Sequence, residues 1–427
     1  MSYENVLVVG LGISGKSAAA LLLKNGKNVV GIDDNIQAIR SSKEIKELEK
    51  QGLITRAPQN LKQLPNIDLV VVSPGVSQDH PLLKAAKKAS IEIIGEIELA
   101  CRFVKQKIFG ITGTNGKTTV TMMVSHVLNA CGIPACIAGN IGEPLSAQIL
   151  KHPDKILVTE LSSYQLDTLS TRALDAAVLL NISPDHLDRY NSYEDYVHSK
   201  FHIQQCIKEK GSFYINKDSA SEWRKFLLGP FLAFNGEGKE NIEYILPVRY
   251  RRSGGYEWEN RSAAFSLCYE AGVSPQQFEK ELENFKKAPH RLEFVREING
   301  VAFINDSKAT NAEAVVRAVE SMQGKVILIA GGQDKGLSYK SWPEVFQGKV
   351  RCVCAIGETA SKIAQELDKV SEVKIFESLN KAINFASSIS KAGETVLLSP
   401  GCSSFDMFKD YEQRGEKFKQ AVHQLQR

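Results

Sequence analysis

The residues Gly-Thr-Asn-Gly-Lys-Thr-Thr at positions 113–119 constrain the fold of this chain more than any other segment. An apolar stretch, residues 108–111, precedes them, and a helical pattern, residues 120–130, follows. A glycine-rich loop between a strand and a helix can cradle phosphate, because backbone N–H groups and the helix N-terminus face the anion. We therefore predict that this loop binds ATP or GTP, with Lys117 at the terminal phosphates and Thr118 on Mg²⁺.

The loop departs from the strict P-loop pattern, because Ile111 occupies the position of the first glycine. An ordinary turn that carries a surface lysine is the alternative. The strand and helix patterns on either side favour the phosphate cradle.

Composition limits the class of protein. The chain has 427 residues, of which 43% are hydrophobic and 24% charged, with a formal net charge of +4. These values are typical of a globular protein of two to four domains and give no reason to expect nucleic acid as a partner. We find no signal peptide, no apolar run long enough to span a membrane and no C-x-x-C pair among eight cysteines. A cytoplasmic enzyme with reduced thiols is expected.

Strand and helix patterns alternate along the chain in three blocks, which we place at residues 1–93, 94–288 and 289–427. Such β-α-β alternation predicts parallel sheets with ligands at the carboxyl ends of the strands. The predicted fold is therefore α/β with three domains: a Rossmann-like N-terminal domain, a P-loop NTPase-like central domain and a Rossmann-like C-terminal domain. Residues 211–262 show no clear pattern.

The first block contains Gly10-x-Gly12-x-x-Gly15 between a strand and a helix, and Asp33 and Asp34 end the next strand. This is the dinucleotide-binding fingerprint, in which the acidic residue holds a ribose hydroxyl. An NAD-dependent enzyme is therefore an alternative. The second phosphate loop argues against it, because hydride transfer needs no ATP-type site.

Eight segments in a fixed order carry a resemblance to the Mur ligases, ATP-dependent enzymes that join an amino acid to a peptidoglycan precursor. They are residues 113–119, 139–142, 160–166, 181–189, Lys200, 290–291, 305–311 and 398–406. The resemblance covers all three blocks and is strongest to the members that add D-glutamate to UDP-N-acetylmuramoyl-L-alanine. It implies ATP and Mg²⁺ as cofactors, those two molecules as substrates, no membrane insertion and a monomer.

The resemblance also implies roles for individual residues. Catalytic roles fall to Lys117, Lys200, His186 and Lys308. ATP would be bound by Gly113, Thr114, Asn115, Gly116, Lys117, Thr118, Thr119, Arg291 and Asp306, with His290 near the phosphates. The UDP substrate would be bound by Gly12, Ile13, Ser14, Asp33, Asp34, Gly75, Asn140, Ser162 and Gln165, and D-glutamate by Thr310, Lys335, Ser404 and Tyr411. The metal would be held by Thr118, Glu160, His186 and a carbamylated Lys200.

Two positions depart from the family pattern. Residues 259–263 read Glu-Asn-Arg-Ser-Ala, so the second asparagine of a run that contacts adenine is replaced by Ala263. Tyr411 stands where phenylalanine is common, which adds a hydroxyl to the expected glutamate pocket.

Alternatives to these interpretations stay open. Without the resemblance, Lys200 is a surface lysine of a helix, and His198 and His202 around it could suggest a zinc pair, although packed or solvated histidines fit better. A sibling ligase for L-alanine or a diamino acid, and a nucleotide-gated binding module, are the alternative functions.

Overall fold

The computed structural model describes residues 3–58, 66–77, 79–185, 189–234, 256–334, 336, 338–368 and 370–425. These residues form three sheets, one in each predicted block. The strands Leu69–Val72 and Ile108–Thr112 are buried at every position, and in Asn5–Val9, Ile156–Glu160 and Leu174–Leu179 a single residue is only partly buried. This burial is expected for parallel strands covered on both faces. The α/β prediction is confirmed.

The first sheet has five parallel strands in the order β3-β2-β1-β4-β5. The strands are β1 (Asn5–Val9), β2 (Asn28–Ile32), β3 (Ile54–Arg56), β4 (Leu69–Val72) and β5 (Glu92–Gly95). The helices are α1 (Ile13–Lys24), α2 (Ile36–Arg40), α3 (Lys43–Lys50), α4 (Pro81–Lys88) and α5 (Glu96–Phe103). The glycine-rich turn of the fingerprint lies between β1 and α1, at the carboxyl end of the central strand.

The second sheet has six parallel strands in the order β11-β10-β9-β6-β8-β7. The strands are β6 (Ile108–Thr112), β7 (Ala135–Gly139), β8 (Ile156–Glu160), β9 (Leu174–Leu179), β10 (Ile207–Asn216) and β11 (Leu232–Phe234). The helices are α6 (Lys117–Ala130), α7 (Leu145–Lys151), α8 (Ser163–Leu166), α9 (Tyr193–Phe201), α10 (Lys217–Glu222), α11 (Tyr256–Glu270) and α12 (Pro275–Leu282). Because β6 lies between β9 and β8, the loops after these three strands meet at one edge.

The third sheet has the order β12-β13-β17-β14-β15-β16, in which β12 is antiparallel to β13 and the other pairs are parallel. The strands are β12 (Glu293–Ile298), β13 (Val301–Asn305), β14 (Val326–Gly331), β15 (Val350–Ile356), β16 (Glu372–Phe376) and β17 (Thr395–Leu398). The helices are α13 (Ala312–Ser321), α14 (Trp342–Phe346), α15 (Ala360–Leu367), α16 (Leu379–Ile389) and α17 (Tyr411–Gln424).

The described residues divide into two compact units. The first contains the first two sheets. The second contains the third sheet and, from the middle of the chain, the segment Ile182–Tyr196. The precise domain boundaries near residues 93 and 288 stay predictions.

Helix α11 was not predicted, although it has 15 residues. Apolar residues occur around much of its circumference, and Ala263, Phe265 and Leu267 are fully buried in the core of the second sheet. A helix that is apolar on several sides lacks the one-sided stripe that makes a helix visible in a sequence.

Two buried glutamates of α5 join the first sheet's domain to the second. A carboxylate oxygen of Glu96 accepts a hydrogen bond from the Ser146 N–H, 2.6 Å away, at the start of α7. Glu98 accepts from the N–H groups of Ser170 and Thr171 at 2.8 and 2.9 Å, and from Arg102 at 2.8 Å. Burial favours the neutral acid, but these donors outweigh it and hold the pKa of Glu98 below its ordinary value.

The eight cysteines, all within described residues, are free thiols, and all except Cys131 are buried. Among the described helices we find none that is both long enough and apolar enough to span a membrane.

We predict that Glu98→Ala lowers the free energy of unfolding by about 3 kcal/mol, because it removes a buried carboxylate that accepts from the Ser170 and Thr171 N–H groups and from Arg102. Urea unfolding of the full chain measures the effect. Glu92→Ala is the matched control, because Glu92 pairs with the same arginine but is 53% exposed. Its loss should cost less than about 1 kcal/mol. Equal losses of unfolding free energy in the two variants would contradict the stabilising role given to the buried Glu98 contacts.

Candidate active site

The phosphate loop connects β6 to α6 as predicted, and its two glycines are required by its shape. Gly113 has φ +143° and Gly116 has φ +89°, conformations that L side chains rarely adopt. A Cβ on Gly113 would lie 2.8 Å from the Leu180 Cβ, and one on Gly116 would collide with the Asn260 side chain. The loop therefore has glycine where a tight turn and close packing both require it.

Asn181, two residues after the end of β9, holds the loop in place through hydrogen bonds. Its backbone carbonyl accepts from the Thr114 N–H at 2.7 Å, and its side-chain oxygen accepts from the Asn115 N–H at 2.9 Å. Its side-chain N–H donates to the Asn115 carbonyl at 3.1 Å. Asn181 belongs to a family motif but had no predicted role, because a sequence cannot show that two segments 66 residues apart lie side by side.

Two lysine ammonium groups lie at the carbonyl oxygen of Gly113. Lys117 donates to it at 2.8 Å and to the Thr114 carbonyl at 2.9 Å. Lys200, near the end of α9, donates to the same Gly113 oxygen at 2.8 Å and is only 2% exposed. The ammonium nitrogens of Lys117 and Lys200 are therefore no farther apart than twice 2.8 Å. Lys200 is therefore buried against the glycine-rich loop and is not a surface lysine.

Thr118 and Glu160 form the second part of this site. The Thr118 hydroxyl donates to one Glu160 carboxylate oxygen at 2.8 Å, and the Asn140 side chain donates to the other at 2.7 Å. Glu160 ends β8 and is 2% exposed. Two predicted residues, Thr118 in the first turn of α6 and Asn140 directly after β7, thus bond the buried carboxylate at the end of β8.

The remaining residues predicted around this site have separate outcomes. Ser162 and Gln165 bond each other in a capping box at the start of α8. His186 lies outside the described residues, and no group of three or more metal-binding side chains occurs among those that are described. His202 bonds the Leu169 carbonyl at 2.6 Å and His198 contacts the Phe226 ring, which agrees with packed histidines.

Helix α11 contacts the loop through Asn260, the first asparagine of the family run. Ala263, one turn later, is completely buried in the apolar core. An amide at position 263 would need hydrogen-bond partners in that core, so alanine fits this packing.

A cavity of about 650 Å³ lies at the carboxyl ends of the first sheet's strands. It is lined by six of the residues predicted to bind the UDP substrate: Gly12, Ile13, Ser14, Asp33, Asp34 and Gly75. The lining also includes His80, which had not been predicted and which caps the N-terminus of α4. Its Nε2 atom lies 3.6 Å from a carboxylate oxygen of Asp34.

The two aspartates of this cavity differ in their contacts. Asp33 accepts from the Leu11 N–H at 2.8 Å and from the Asn35 N–H at 2.9 Å, so it holds the glycine turn in place. Asp34 is 80% exposed. The sequence could not distinguish these roles, because both residues follow the same strand.

In the second unit, Asp306 follows β13 and is buried. It accepts from the Ser399 hydroxyl at 2.9 Å and from the Leu292 N–H at 3.2 Å. Burial raises the pKa of Asp306 to about 7, although hydrogen bonds and the charges of Arg291 and Arg414 act in the opposite direction. A carboxyl group that titrates near neutrality is common in functional sites.

The buried side chain of Arg414, on α17, donates hydrogen bonds to both the loop that follows β13 and the loop that follows β17. Its guanidinium donates to the Ser307 hydroxyl and carbonyl at 3.0 and 2.9 Å and to the carbonyl of Cys402 at 3.2 Å. Burial lowers the pKa of Arg414 to about 10, so it stays charged at neutral pH. This residue had not been predicted, and it supports the loop that carries the buried Ser404.

The other residues predicted to contact D-glutamate or the reacting group lie on the same unit. Thr310 precedes α13, and Lys308 places its ammonium 3.8 Å from the centre of the Tyr411 ring. The Tyr411 hydroxyl donates to Glu412 at 2.9 Å. Lys335 lies outside the described residues.

Comparisons with known proteins agree with this architecture. Three family models match the chain: Mur ligase MurD-like, N-terminal domain at residues 4–95, Mur ligase middle domain at 111–251, and Mur ligase, glutamate ligase domain at 290–402. A UDP-N-acetylmuramoylalanine–D-glutamate ligase of Protochlamydia amoebophila is 45% identical over 438 residues, which covers 99% of this chain and 98% of that protein.

Solved structures support the fold. A pseudomurein peptide ligase of Methanothermus fervidus has a TM-score of 0.61 at 18% identity and covers 99% of this chain and 100% of its own. A UDP-N-acetylmuramate-alanine ligase of Thermotoga maritima has a TM-score of 0.57 at 17% identity, with 99% of each chain covered.

We predict that Asp306→Asn changes the pH dependence of stability. Because the pKa of Asp306 is raised from 3.8 to about 7, the native protein binds more protons than the unfolded chain between these values. The free energy of unfolding of the unmodified protein therefore falls as pH rises through this window. Relative to it, the asparagine variant should gain on the order of 2 kcal/mol between pH 5 and pH 8.

Urea titrations at several pH values measure this gain. Asp154→Asn is the control, because Asp154 is exposed on the first unit. A difference between Asp306→Asn and the unmodified protein that stayed constant with pH would contradict the prediction.

Proposed function

The chain belongs to the Mur ligase family, and we propose that it joins D-glutamate to UDP-N-acetylmuramoyl-L-alanine, with ATP as the energy source, in peptidoglycan precursor synthesis. The observation that carries this proposal is the full-length similarity to D-glutamate ligases at 45% identity. It extends through the phosphate loop, the N-terminal cavity and the glutamate ligase domain. A cytoplasmic location and a monomeric state remain predictions.

The reaction needs ATP because a carboxylate resists nucleophiles. In the proposed sequence, a carboxylate oxygen of the L-alanine residue bonds to the γ-phosphorus while the bond to ADP breaks. The D-glutamate amine then attacks the carbonyl carbon of the acyl phosphate, inorganic phosphate leaves, and the nitrogen loses a proton. Positioning and stabilisation of the phosphoryl charge are what the protein must provide.

The phosphate loop suits the first step. The loop N–H groups that Asn181 does not bond, together with the N-terminus of α6, would bind an anion at low reorganisation cost, because Asn181 already fixes the loop. Lys117 is held on loop carbonyls and can exchange them for phosphate oxygens. Its charge would stabilise the phosphoryl group in transfer.

The Thr118 hydroxyl and the Glu160 carboxylate fit magnesium, because hard oxygen ligands within hydrogen-bond distance of each other are what this ion prefers. Bound there, magnesium would neutralise charge on the phosphates. Asn140 orients the carboxylate through its bond to the other oxygen.

The cavity of the first sheet would take the uridine diphosphate. Ile13, which is 73% exposed, offers an apolar surface beside the glycine turn, and Asp34 and His80 offer polar groups. In the second unit, Asp306 would hold the ATP ribose, Lys308 would lie near the acyl phosphate, and Thr310, Lys335, Ser404 and Tyr411 would contact D-glutamate, with Arg291 at the phosphates.

We also propose that Lys200 carries a carbamate. The neutral amine would attack CO₂, a C–N bond would form and a proton would leave to water. The surroundings favour this change, since Lys117 and Lys200 share the Gly113 carbonyl and repel each other as two cations. As an anion, Lys200 would attract Lys117 and could ligate magnesium.

We predict that release of ADP and phosphate requires both UDP-N-acetylmuramoyl-L-alanine and D-glutamate, because the amine must complete the turnover. A coupled ADP assay with each substrate omitted in turn measures this dependence. L-alanine, L-glutamate and meso-diaminopimelate in place of D-glutamate test the sibling ligases. Rapid hydrolysis with neither substrate would support a nucleotide-gated module and reject the proposal.

We predict that Lys117→Ala and Lys200→Ala each lower turnover by about two orders of magnitude or more, but for opposite reasons. A small carboxylic acid such as acetate should restore part of the rate of Lys200→Ala, because it replaces a missing anion. It should do nothing for Lys117→Ala, which lacks a cation. The two variants are matched controls for each other, and equal responses to acetate would reject the carbamate.

A further inference from the structure

Tyr411, Lys308 and His290 form a set of three mutual contacts in the second unit. Its ring faces the Lys308 ammonium, 3.8 Å from the ring centre, and meets the His290 ring edge to face with centroids 6.2 Å apart. The backbone N–H of Lys308 donates to the His290 carbonyl at 3.1 Å, which is the third contact of the set. The Tyr411 carbonyl accepts from the Ser307 hydroxyl at 2.8 Å, so the backbone of the tyrosine is fixed as well.

The hydroxyl of Tyr411 has a separate partner. It donates to the exposed Glu412 carboxylate at 2.9 Å. Burial, with Glu412 adding to it, raises the pKa of Tyr411 to about 12, so the group stays neutral at physiological pH. The Tyr411 hydroxyl, which a phenylalanine would lack, therefore bonds an exposed carboxylate, and the Tyr411 ring is the part that contacts Lys308.

The second ring of the set does not repel the lysine. The Nδ1 atom of His290 lies 2.9 Å from the Asn305 side-chain nitrogen, an amide donor, which requires an unprotonated Nδ1. Burial also lowers the pKa of His290. A neutral imidazole leaves the ammonium of Lys308 as the cation that the Tyr411 ring attracts.

We propose that Tyr411 is a positioning residue whose ring, and not its hydroxyl, holds the Lys308 ammonium in place for the acyl phosphate. This rests on the proposed function. Lysine has a flexible four-carbon stem, and fixing it costs up to about 2 kcal/mol of conformational entropy. A cation–π contact contributes roughly 0.5 to 2 kcal/mol, depending on exposure, so it can offset much of this cost before the substrates react.

The test changes the electrostatics of the ring at nearly constant shape. Tyr411 is replaced by phenylalanine, and then by phenylalanines with one, two and three ring fluorines, which progressively weaken the attraction to a cation. Tyr411→Phe is the reference of the series, because it keeps the ring without fluorine, and every fluorinated variant is compared with it. Across the fluorinated series kcat should fall stepwise, about tenfold in total, with a smaller change in KM for D-glutamate.

The control repeats the fluorinated series in the Lys308→Met background. There the rate should be low and independent of fluorination, because no cation faces the ring. A flat series in the presence of Lys308, or a series that changes only KM, would overturn the proposal.

A second measurement separates this inference from the proposed function. In ¹³C-lysine-labelled protein, the ε-methylene signal of Lys308 should be shifted upfield by the Tyr411 ring current, remain so in Tyr411→Phe and lose the shift in Tyr411→Leu. An unshifted signal rejects the contact even in an active enzyme. A shifted signal in a protein that does not need D-glutamate rejects the proposed function and leaves the contact standing.

Discussion

The chemistry of the first unit depends on one carbonyl oxygen. The Gly113 carbonyl accepts hydrogen bonds from both Lys117 and Lys200, and two ammonium groups so close repel each other by on the order of 3 kcal/mol at an effective dielectric constant of about 20. The fold tolerates this because Asn181 fixes the loop and the glycine backbone allows the carbonyl to face both lysines. Under the proposed function, a bound triphosphate or a carbamylated Lys200 would turn that repulsion into attraction. Two neighbouring ammonium groups at one acceptor favour an anionic ligand beside them.

Much of the architecture was predictable, and for identifiable reasons. Buried parallel strands such as β6 and β14 are continuous apolar runs, and glycines mark the turns that follow them. The tight turn at Gly113 follows from local sequence for the same reason, while the binding roles of Gly113 and Thr118 stay predictions. Helix α11 was missed because its apolar residues do not lie on a single face, so burial by the rest of the domain, and not its own pattern, decides its structure.

The residues that sequence reasoning left undecided are those whose roles come from distant segments. Asp33 and Asp34 are adjacent, yet Asp33 is bonded to the glycine turn at Leu11 while Asp34 is exposed. Lys200 has the local pattern of a surface lysine and is buried because it reaches a loop 87 residues earlier. Arg414 and Asn181 are polar residues whose acceptors or donors are set by the sheet order. Charge and burial at these positions follow from tertiary structure, which composition and periodicity do not encode.

The chain places its lysines by two different physical devices. Carbonyl oxygens hold Lys117 and Lys200, and such hydrogen bonds are directional, so these ammonium groups have fixed positions in the loop. An aromatic face holds Lys308, and attraction to a ring keeps the ammonium in place without fixing the direction of its N–H groups. The first device suits a cation that must remain at the phosphate loop. Under the proposed function, the second device would keep a cation near the acyl phosphate, and a phenylalanine ring at position 411 would provide the same contact as tyrosine.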